Sequence, residues 1–231
     1  MFCLTRISAM TLDEQLRKMS SDWDQRAQEN ARYYVATANE TWSDDEFFAS
    51  GEQTVKDFIL TDMKNVQHGK DPKQMRVLEI GCGAGRVTRA LAGLFGEVHA
   101  VDVSGEMVAL AKSALRDFPN AHVYKNNGKD LDVIPEISFD FAFSFLVFQH
   151  IPSYEVIKSY IGAVSRLLRP GCLFKFQVQG YETLIVDPDA TGVGVGFSET
   201  HMRQIAALTH FEMRYCHGVG TQDFWLWFFR R

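Results

Sequence analysis

Residues 77–86 read VLEIGCGAGR, a short apolar stretch followed by a run in which every second residue is glycine. Glycine lets a backbone turn tightly and lets a ligand approach it closely. In open α/β sheets, ligands bind at the carboxyl ends of the strands, where the next helix also directs its first amide groups. The stretch therefore predicts a strand, a ligand-binding turn and a helix, in that order.

Outward from this turn, apolar stretches of strand length alternate with amphipathic helical patterns. The predicted strands span residues 76–80, 97–102, 121–125, 139–145, 172–178, 211–217 and 224–229. Such alternation favours a parallel sheet, and the short connection between the last two strands favours an antiparallel pair. Residues 169–171, Arg-Pro-Gly, predict a turn before the fifth strand. The expected fold is α/β: a Rossmann-like, seven-stranded, mostly parallel sheet with one antiparallel strand, helices on both faces and an N-terminal helical cap.

The N-terminal region differs from the rest of the chain, since it has helical, charge-rich patterns and no strand-like stretch. Thr11 and Glu14 make a capping-box pattern, and Ser43 followed by acidic residues predicts a second helix start. We expect residues 1–72 to form a helical cap or lid, and residues 73–231 to form the main domain.

The composition is that of a globular protein, with 46% hydrophobic residues, 23% charged residues and a net charge of -5. The acidic balance gives no sign of a nucleic-acid partner, and the longest apolar run, residues 139–148, is too short to cross a bilayer. The cysteines lack the spacing of a metal site; they are Cys3, Cys82, Cys172 and Cys216. The sequence predicts a cytoplasmic protein with reduced thiols, no bound metal and no membrane association, and it leaves the oligomeric state open.

A glycine turn at this position also occurs in dinucleotide-binding enzymes, so an NAD-dependent oxidoreductase is the first alternative. Their pattern is G-x-G-x-x-G, whereas the sixth position here is Arg86. Glu79 would repel a pyrophosphate but attract an ammonium or sulfonium group. Asp102, at the end of the second strand, can accept hydrogen bonds from both ribose hydroxyls. Simpler interpretations stay open for both acids: Glu79 as a solvated strand end, and Asp102 as a turn or helix-cap residue.

Five segments together resemble the motifs of class I S-adenosylmethionine-dependent methyltransferases. They are residues 77–86, the second-strand acid in 101–104, the loop 126–131, the fourth strand 139–145 and the turn 166–171. The resemblance extends over residues 75–229. It implies the cofactor S-adenosyl-L-methionine, the product S-adenosyl-L-homocysteine and a methyl acceptor.

The resemblance also implies which residues contact the cofactor. They are Glu79, Gly81, Cys82, Gly83, Asp102, Val103, Met107, Asn127, Gly128 and Phe145. Glu79 would hold the methionine amino group, and Asp102 would bind the ribose. Asn127 would lie near the adenine with Met107 and Gly128, at a place where many relatives have an aspartate. Phe145 would contact the cofactor near the reacting methyl group.

Methyl transfer requires alignment of the nucleophile and exclusion of water, and a general base only where the acceptor must lose its proton early. His150, after the fourth strand, is the candidate catalytic base, because an imidazole titrates near neutral pH. It could instead brace the next helix. Trp23, with Tyr33 and Tyr34, is expected either to cover the cofactor through a cation–π contact or to pack in the core.

The segment after the fourth strand lacks the Asn/Asp-Pro-Pro-Tyr/Phe motif of enzymes that methylate DNA adenine or protein glutamine. It also lacks the Pro-Cys pair of cytosine C5 methylation. The glycine-rich, aperiodic residues 179–197 are expected to form a long loop or lid. Together with the helical cap, this loop favours a small-molecule acceptor. A methyltransferase-like protein that binds without turnover is the second alternative, and the acceptor atom stays open.

Overall fold

The computed structural model describes residues 10–181 and 191–231. Its strands are β1 (Arg76–Ile80), β2 (Glu97–Asp102), β3 (Ala121–Lys125), β4 (Phe139–Ser144), β5 (Leu168–Val178), β6 (Phe211–His217) and β7 (Phe224–Arg230). Its α-helices are α1 (Leu12–Val35), α2 (Asp44–Phe58), α3 (Met63–Gln67), α4 (Arg86–Leu94), α5 (Gly105–Ala114), α6 (Tyr154–Leu167) and α7 (Glu199–Leu208). Short 3-10 turns lie at Leu60–Asp62, Pro72–Gln74 and Phe148–His150.

The strands form one seven-stranded sheet in the order β3-β2-β1-β4-β5-β7-β6. The first five strands of the chain pair in parallel, and β7 runs antiparallel to both of its neighbours, β5 and β6. The predicted fold class is therefore confirmed, including the antiparallel pair formed by the last two strands. Because β4 is the central strand and β1 lies beside it, their carboxyl ends open onto the middle of one sheet edge.

The start of β5 corrects the sequence prediction. The strand begins at Leu168, whereas residues 169–171 were expected to be a turn before a strand starting at 172. The β4–β5 register shifts between Phe139 and Phe141, and Gly171 has a φ of 81°. The Pro-Gly signal thus produces a bulge inside the strand, because pairing with β4 resumes on both sides of it.

Helices cover both faces of the sheet, as predicted. Leu78 and Ile80 of β1 pack on one face with residues of α6 and α7. Val77, which precedes Leu78 and points to the opposite face, packs there with residues of α2 and α4. Every residue of β4 is buried, as expected for a central strand covered on both sides.

The N-terminal helices begin where their capping boxes predict. Thr11 and Glu14 cap α1, and Ser43 and Glu46 cap α2, each pair through reciprocal bonds between side chain and backbone. Over the described residues 10–72 this region contains no strand. Its helical character is confirmed there, while the division into a cap (1–72) and a main domain (73–231) stays a prediction.

Two sets of contacts fasten these helices to the sheet. The Asp24 carboxylate on α1 accepts hydrogen bonds from Ser104 Oγ at 2.6 Å and from the Glu106 amide at 3.1 Å, at the start of α5. Beyond α2, Asp62 Oδ2 lies 2.9 Å from the buried Lys175 Nζ of β5 and accepts a bond from Trp227 Nε1. The region 10–72 is therefore packed against the ligand-facing edge as well as against one face of the sheet.

Candidate active site

The glycine turn after β1 has the conformation that its sequence predicts. Gly81, Gly83 and Gly85 have φ angles of 76°, 51° and 87°, in the left-handed region that favours glycine. A Cβ atom on Gly81 would lie 2.1 Å from Val147 Cγ2, and one on Gly83 would lie 2.6 Å from Val35 Cγ2. The backbone of the turn is thus closely approached by the segment after β4 and by the end of α1.

A cleft of about 880 Å³ opens over this turn. It brings together ten of the predicted site residues: Trp23, Glu79, Gly81, Cys82, Gly83, Asp102, Val103, Met107, Phe145 and His150. The residues come from α1, the glycine turn, the end of β2, α5 and the segment after β4, so the cleft is assembled at the carboxyl edge of the sheet.

Two predicted residues lie elsewhere. The Asn127 side chain is exposed and bonds to Asp130 and to local backbone amides. Gly128 is buried beneath Leu16 and Met19 of α1. In place of these residues, Asn126 lines the cleft, and its Nδ2 donates to Tyr160 Oη at 2.7 Å. The expectation for this loop was one position out of register, because the loop turns immediately after β3.

Other residues of the cleft wall were not expected from the sequence. Tyr160 belongs to the apolar stripe of α6, a pattern that by itself predicts a core residue. Met19 and Val35 belong to α1. Polar residues dominate this helix, so its sequence does not indicate which side packs on the cleft. Arg86 follows the glycine run, and the sequence there indicates only that the sixth position is not the glycine of a dinucleotide-binding turn. Each of these residues is placed by tertiary packing, so local sequence gives no signal for its role.

Glu79 provides the main electrostatic feature of the cleft. The side chain is 4% exposed, and its Oε2 has no hydrogen-bond partner among the described residues. Burial raises the pKa of this carboxyl to about 7. The interpretation of Glu79 as a solvated strand end is therefore wrong. A buried acid with an unpaired oxygen in a cleft favours a ligand that brings a cation or a hydrogen-bond donor.

Asp102 is held in place by the turn that it faces. Its Oδ2 accepts the Gly83 amide at 2.8 Å, and its Oδ1 accepts the Ser104 amide at 2.9 Å. The interpretation as a turn residue is thus correct, yet Asp102 also lines the cleft. Burial raises the pKa of this carboxyl, and the backbone donors oppose that rise. Because a carboxylate offers about four acceptor sites, two stay available for ligand hydroxyls.

Arg86 connects the cleft to α2. Its Nη1 donates to the Ser50 carbonyl and to Thr54 Oγ1, both at 3.0 Å. The side chain is 6% exposed, and its Nε has no partner among the described residues. A guanidinium with a free donor therefore lies in the same wall as the Glu79 carboxyl, so the cleft presents both signs of charge.

His150 is held in a defined tautomer. Its Nδ1 lies 2.8 Å from the Gly192 carbonyl, and since a carbonyl only accepts, Nδ1 carries the hydrogen. Nε2 is then the acceptor, 3.1 Å from the amide nitrogen of Gln149. Burial lowers the pKa of His150, so the ring is neutral at neutral pH with a lone pair on Nε2. These bonds suit a general base, and they also brace the segment at Gly192.

Aromatic rings border the same end of the cleft. The Trp23 ring lies 5.5 Å from that of His150, and the Arg26 guanidinium stacks over Trp23 at 4.7 Å. Tyr34 lines the cleft, whereas Tyr33 packs on Tyr34 outside it. Phe145 follows β4 and stacks on Trp225 at 5.3 Å, which fixes its ring at the cleft wall.

The predicted long loop at 179–197 is described only in part, because residues 182–190 lie outside the described residues. Its last part packs on the cleft region. Thr191 Oγ1 bonds to Asp22 and Arg26 of α1, and the Gly194 amide bonds to the Gln149 carbonyl. The segment from residue 191 therefore joins α1 to the turn that carries His150.

Comparison with known proteins matches this chain to methyltransferases. Residues 77–171 match the family model described as "Methyltransferase domain". A ubiquinone biosynthesis O-methyltransferase of Xanthomonas oryzae pv. oryzae is 32% identical over 97 residues, covering 42% of this chain and 39% of that protein. A protein of the same description from Xanthomonas axonopodis pv. citri is 27% identical over 139 residues, covering 60% and 55%. The chain thus spans about half the length of these curated relatives or less.

Solved structures share the fold at low sequence identity. The magnesium protoporphyrin IX methyltransferase of Synechocystis PCC 6803 with bound S-adenosylmethionine has a TM-score of 0.67 and 15% identity, covering 97% of this chain and 100% of that one. The complex of DhpI with S-adenosylhomocysteine has a TM-score of 0.64 and 20% identity, covering 94% and 98%. Phosphoethanolamine N-methyltransferase 1 of Haemonchus contortus has a TM-score of 0.70 and 14% identity, covering 95% and 50%.

The sheet order and the glycine turn define the class I methyltransferase fold, and these structures share it. Within this fold, residues 77–171 match the methyltransferase family model, so the resemblance found in the sequence is confirmed over that segment.

Proposed function

We propose that the chain binds S-adenosyl-L-methionine in the cleft and transfers its methyl group to a small-molecule acceptor, releasing S-adenosyl-L-homocysteine. The observation that carries this proposal is the buried Glu79 carboxyl, whose Oε2 is unpartnered among the described residues beside the glycine turn. The cofactor, when bound, supplies an electrophilic methyl group on a sulfonium centre.

The residues of the cleft fit this cofactor. Glu79 can accept from an amino-acid ammonium group, and the free acceptor sites of Asp102 suit a pair of ribose hydroxyls. The glycines at 81 and 83 let a ligand contact the backbone directly. For the adenine, the proposal replaces Asn127 and Gly128 with Asn126, beside Met107, because these two line the cleft.

We propose His150 as the base that accepts a proton from the acceptor. The Nδ1 bond to Gly192 leaves the lone pair on Nε2, where the acceptor would take the place of the Gln149 side-chain amide, and the neutral ring needs no prior deprotonation. The printed description of the curated relatives, an O-methyltransferase, favours a hydroxyl as the acceptor group. A hydroxyl benefits from a base, since its oxygen becomes a strong nucleophile only when the proton leaves.

An NAD-dependent oxidoreductase is disfavoured by the same geometry, because a buried carboxyl beside the turn would lie against a pyrophosphate. A binding protein without turnover differs from the proposed enzyme only in the chemical step. We further propose that residues 1–72 form a cap over the cleft. The proposed function involves no nucleic-acid or membrane partner. The proposal also keeps a cytoplasmic location, supported by free thiols at Cys82, Cys172 and Cys216. Of the described helices, none combines the length and apolar character that a membrane span requires.

Calorimetric titration tests the cofactor, and product release tests the reaction. We expect S-adenosylmethionine and S-adenosylhomocysteine to bind with one-to-one stoichiometry, and NAD not to bind. Failure of both sulfur nucleosides to bind would contradict the proposal. A panel of small phenols, carboxylates and amines, assayed by formation of S-adenosylhomocysteine, then identifies the acceptor class. Binding without product formation across an extensive panel would favour the non-catalytic alternative.

A further inference from the structure

Three metal-ligating side chains meet at the other end of β2, away from the cleft. Glu97 and His99 lie two residues apart on β2 and therefore share one face of the sheet. His122 of β3 is the register partner of His99 on the neighbouring parallel strand. One ligand atom from each of the three lies within 4.8 Å of the others.

We propose that Glu97, His99 and His122 bind a divalent transition-metal ion of the zinc type. Glu97 Oε1 lies 2.8 Å from His99 Nε2 and 3.7 Å from His122 Nε2. In a tetrahedral zinc site with bonds of about 2.1 Å, neighbouring ligand atoms lie about 3.4 Å apart. The two distances from Glu97 fall on either side of this value, so its carboxylate oxygen lies near coordination spacing from both imidazoles.

The groups around the cluster orient its ligands. Arg76 Nε donates to Glu97 Oε2 at 2.6 Å, which leaves Oε1 facing the two imidazoles. Tyr124 Oη lies 3.0 Å from His99 Nδ1, on the far side of the ring from Nε2. A metal on Nε2 requires the His99 proton on Nδ1, and Nδ1–H can then donate a hydrogen bond to Tyr124 Oη. Such outer contacts are typical of ligating histidines, whose second nitrogen is held by a polar partner.

The chemistry of the ligand set selects the ion. Two imidazole nitrogens and one carboxylate oxygen suit zinc, cobalt, nickel or copper, whereas magnesium and calcium prefer oxygen ligands throughout. His99 is 3% exposed and forms the closed side, while His122 is half-exposed and leaves a fourth position open to water.

The proposed site joins the edge strand β3 to β2. Since β3 ends the sheet, it has a partner on one side only. A bound ion would therefore act as a clip at the open edge. At about 3.3 Å per residue along β2, Asp102 lies about 10 Å from His99 and about 17 Å from Glu97. The proposed site is independent of the proposed methyl transfer, and either proposal can fail without the other.

The test is titration of the chelator-treated, tag-free chain with Co²⁺, followed by visible absorption, and with Zn²⁺, followed by calorimetry. We expect one equivalent of each ion to bind, with the strong visible bands of four-coordinate cobalt. His122→Ala should bind at least tenfold more weakly. His217→Ala, at an exposed histidine on the opposite edge strand, is the matched control and should bind as the parent does.

Glu97→Gln is a second variant, which keeps the shape of the side chain and removes its charge. It should also bind at least tenfold more weakly, and both variants should keep the parent's circular dichroism spectrum as evidence of a native fold. The proposal is overturned if the parent takes up no stoichiometric metal. It is equally overturned if both variants bind the ion as tightly as the parent does.

Discussion

The two ends of β2 carry different kinds of acid. Asp102, at the carboxyl end, receives two backbone amides and faces a cleft built for a ligand. Glu97, at the amino end, is paired with the Arg76 and His99 side chains at the open edge of the sheet. The difference follows from chain direction: in a parallel sheet, loops and helix N-termini collect at the carboxyl ends and supply the amide donors. Chemistry that needs a preorganised backbone is therefore found at one end only.

The largest expected effect at the carboxyl end is on the chemical step. His150→Ala should lower kcat by about 100-fold or more, a magnitude typical of a lost general base. S-adenosylmethionine affinity should change by less than about threefold, and the parent's fall in kcat at low pH should disappear. Steady-state assays across pH, with the acceptor identified, check this. Unchanged kcat would remove His150 from the role of base.

The next effect concerns binding at the same end. Asp102→Ala should weaken S-adenosylmethionine binding by about 100-fold, because hydrogen bonds to a charged group contribute about 1.5–3 kcal/mol each. Calorimetry measures the dissociation constant. Glu97→Gln, at the other end of the strand, serves as the matched control and should bind as the parent does. Equal losses of S-adenosylmethionine affinity in Asp102→Ala and Glu97→Gln would contradict the proposal that the cofactor binds at the carboxyl end of β2.

A smaller effect is expected from pH. The pKa of Glu79 is about 7 in the ligand-free protein, and only the ionised carboxyl attracts a cationic ligand fully. Affinity for S-adenosylmethionine should therefore rise by about tenfold between pH 6 and pH 8. Glu79→Gln should bind weakly and show no such rise. A parent affinity that is flat over this interval would contradict the role of Glu79 as the ammonium partner.

The same shift predicts an inverse effect on stability. For an acid whose pKa is raised from 4.5 to about 7 on folding, the stabilising contribution is present below pH 4.5 and is lost as pH rises through 7. Glu79→Gln should thus melt at a higher temperature than the ligand-free parent at pH 8, and this advantage should shrink towards pH 5. Calorimetric melting at both pH values measures it.

The smallest expected effect is on stability, at the amino end of β2. Without metal, Glu97→Gln should lower the free energy of unfolding by no more than about 1 kcal/mol, because its ion pair with Arg76 is about one-third exposed. Urea unfolding in a chelating buffer measures this change. A loss of several kcal/mol would mean that the cluster supports the fold by itself, without an ion.

Much of the fold could be predicted from the sequence because its local signals agree. The first three strands have the bounds that their apolar pattern indicates, and the helices at Thr11, Ser43 and Ser104 begin at their capping residues. Where local and tertiary signals differ, the prediction was wrong. Pro170 and Gly171 indicate a turn, but pairing with β4 keeps them inside a bulged strand.

The candidate site could be predicted where one short segment supplies a residue, as at Glu79, Gly81 and Asp102. It could not be predicted where register decides which neighbour faces the cleft, as at Asn126 and Asn127. The proposed metal site has no signal in the local sequence for a related reason, since His122 joins Glu97 and His99 only through the pairing of β2 with β3. The expectation of no metal rests on the absence of Cys and His ligand spacing along the chain, and such spacing carries no information about side chains on adjacent strands.

The Glu79 oxygen, which has no partner in the part of the chain that the structure describes, affects the lifetime of the protein. At neutral pH and above, the ligand-free chain carries a buried carboxylate that favours unfolding, and a bound cation removes that penalty. Occupancy of the cleft therefore raises the free energy of unfolding by mass action, in proportion to the logarithm of ligand concentration. Proteases act on the transiently unfolded chain. The amount of this protein in a cell should accordingly fall when its ligand is scarce.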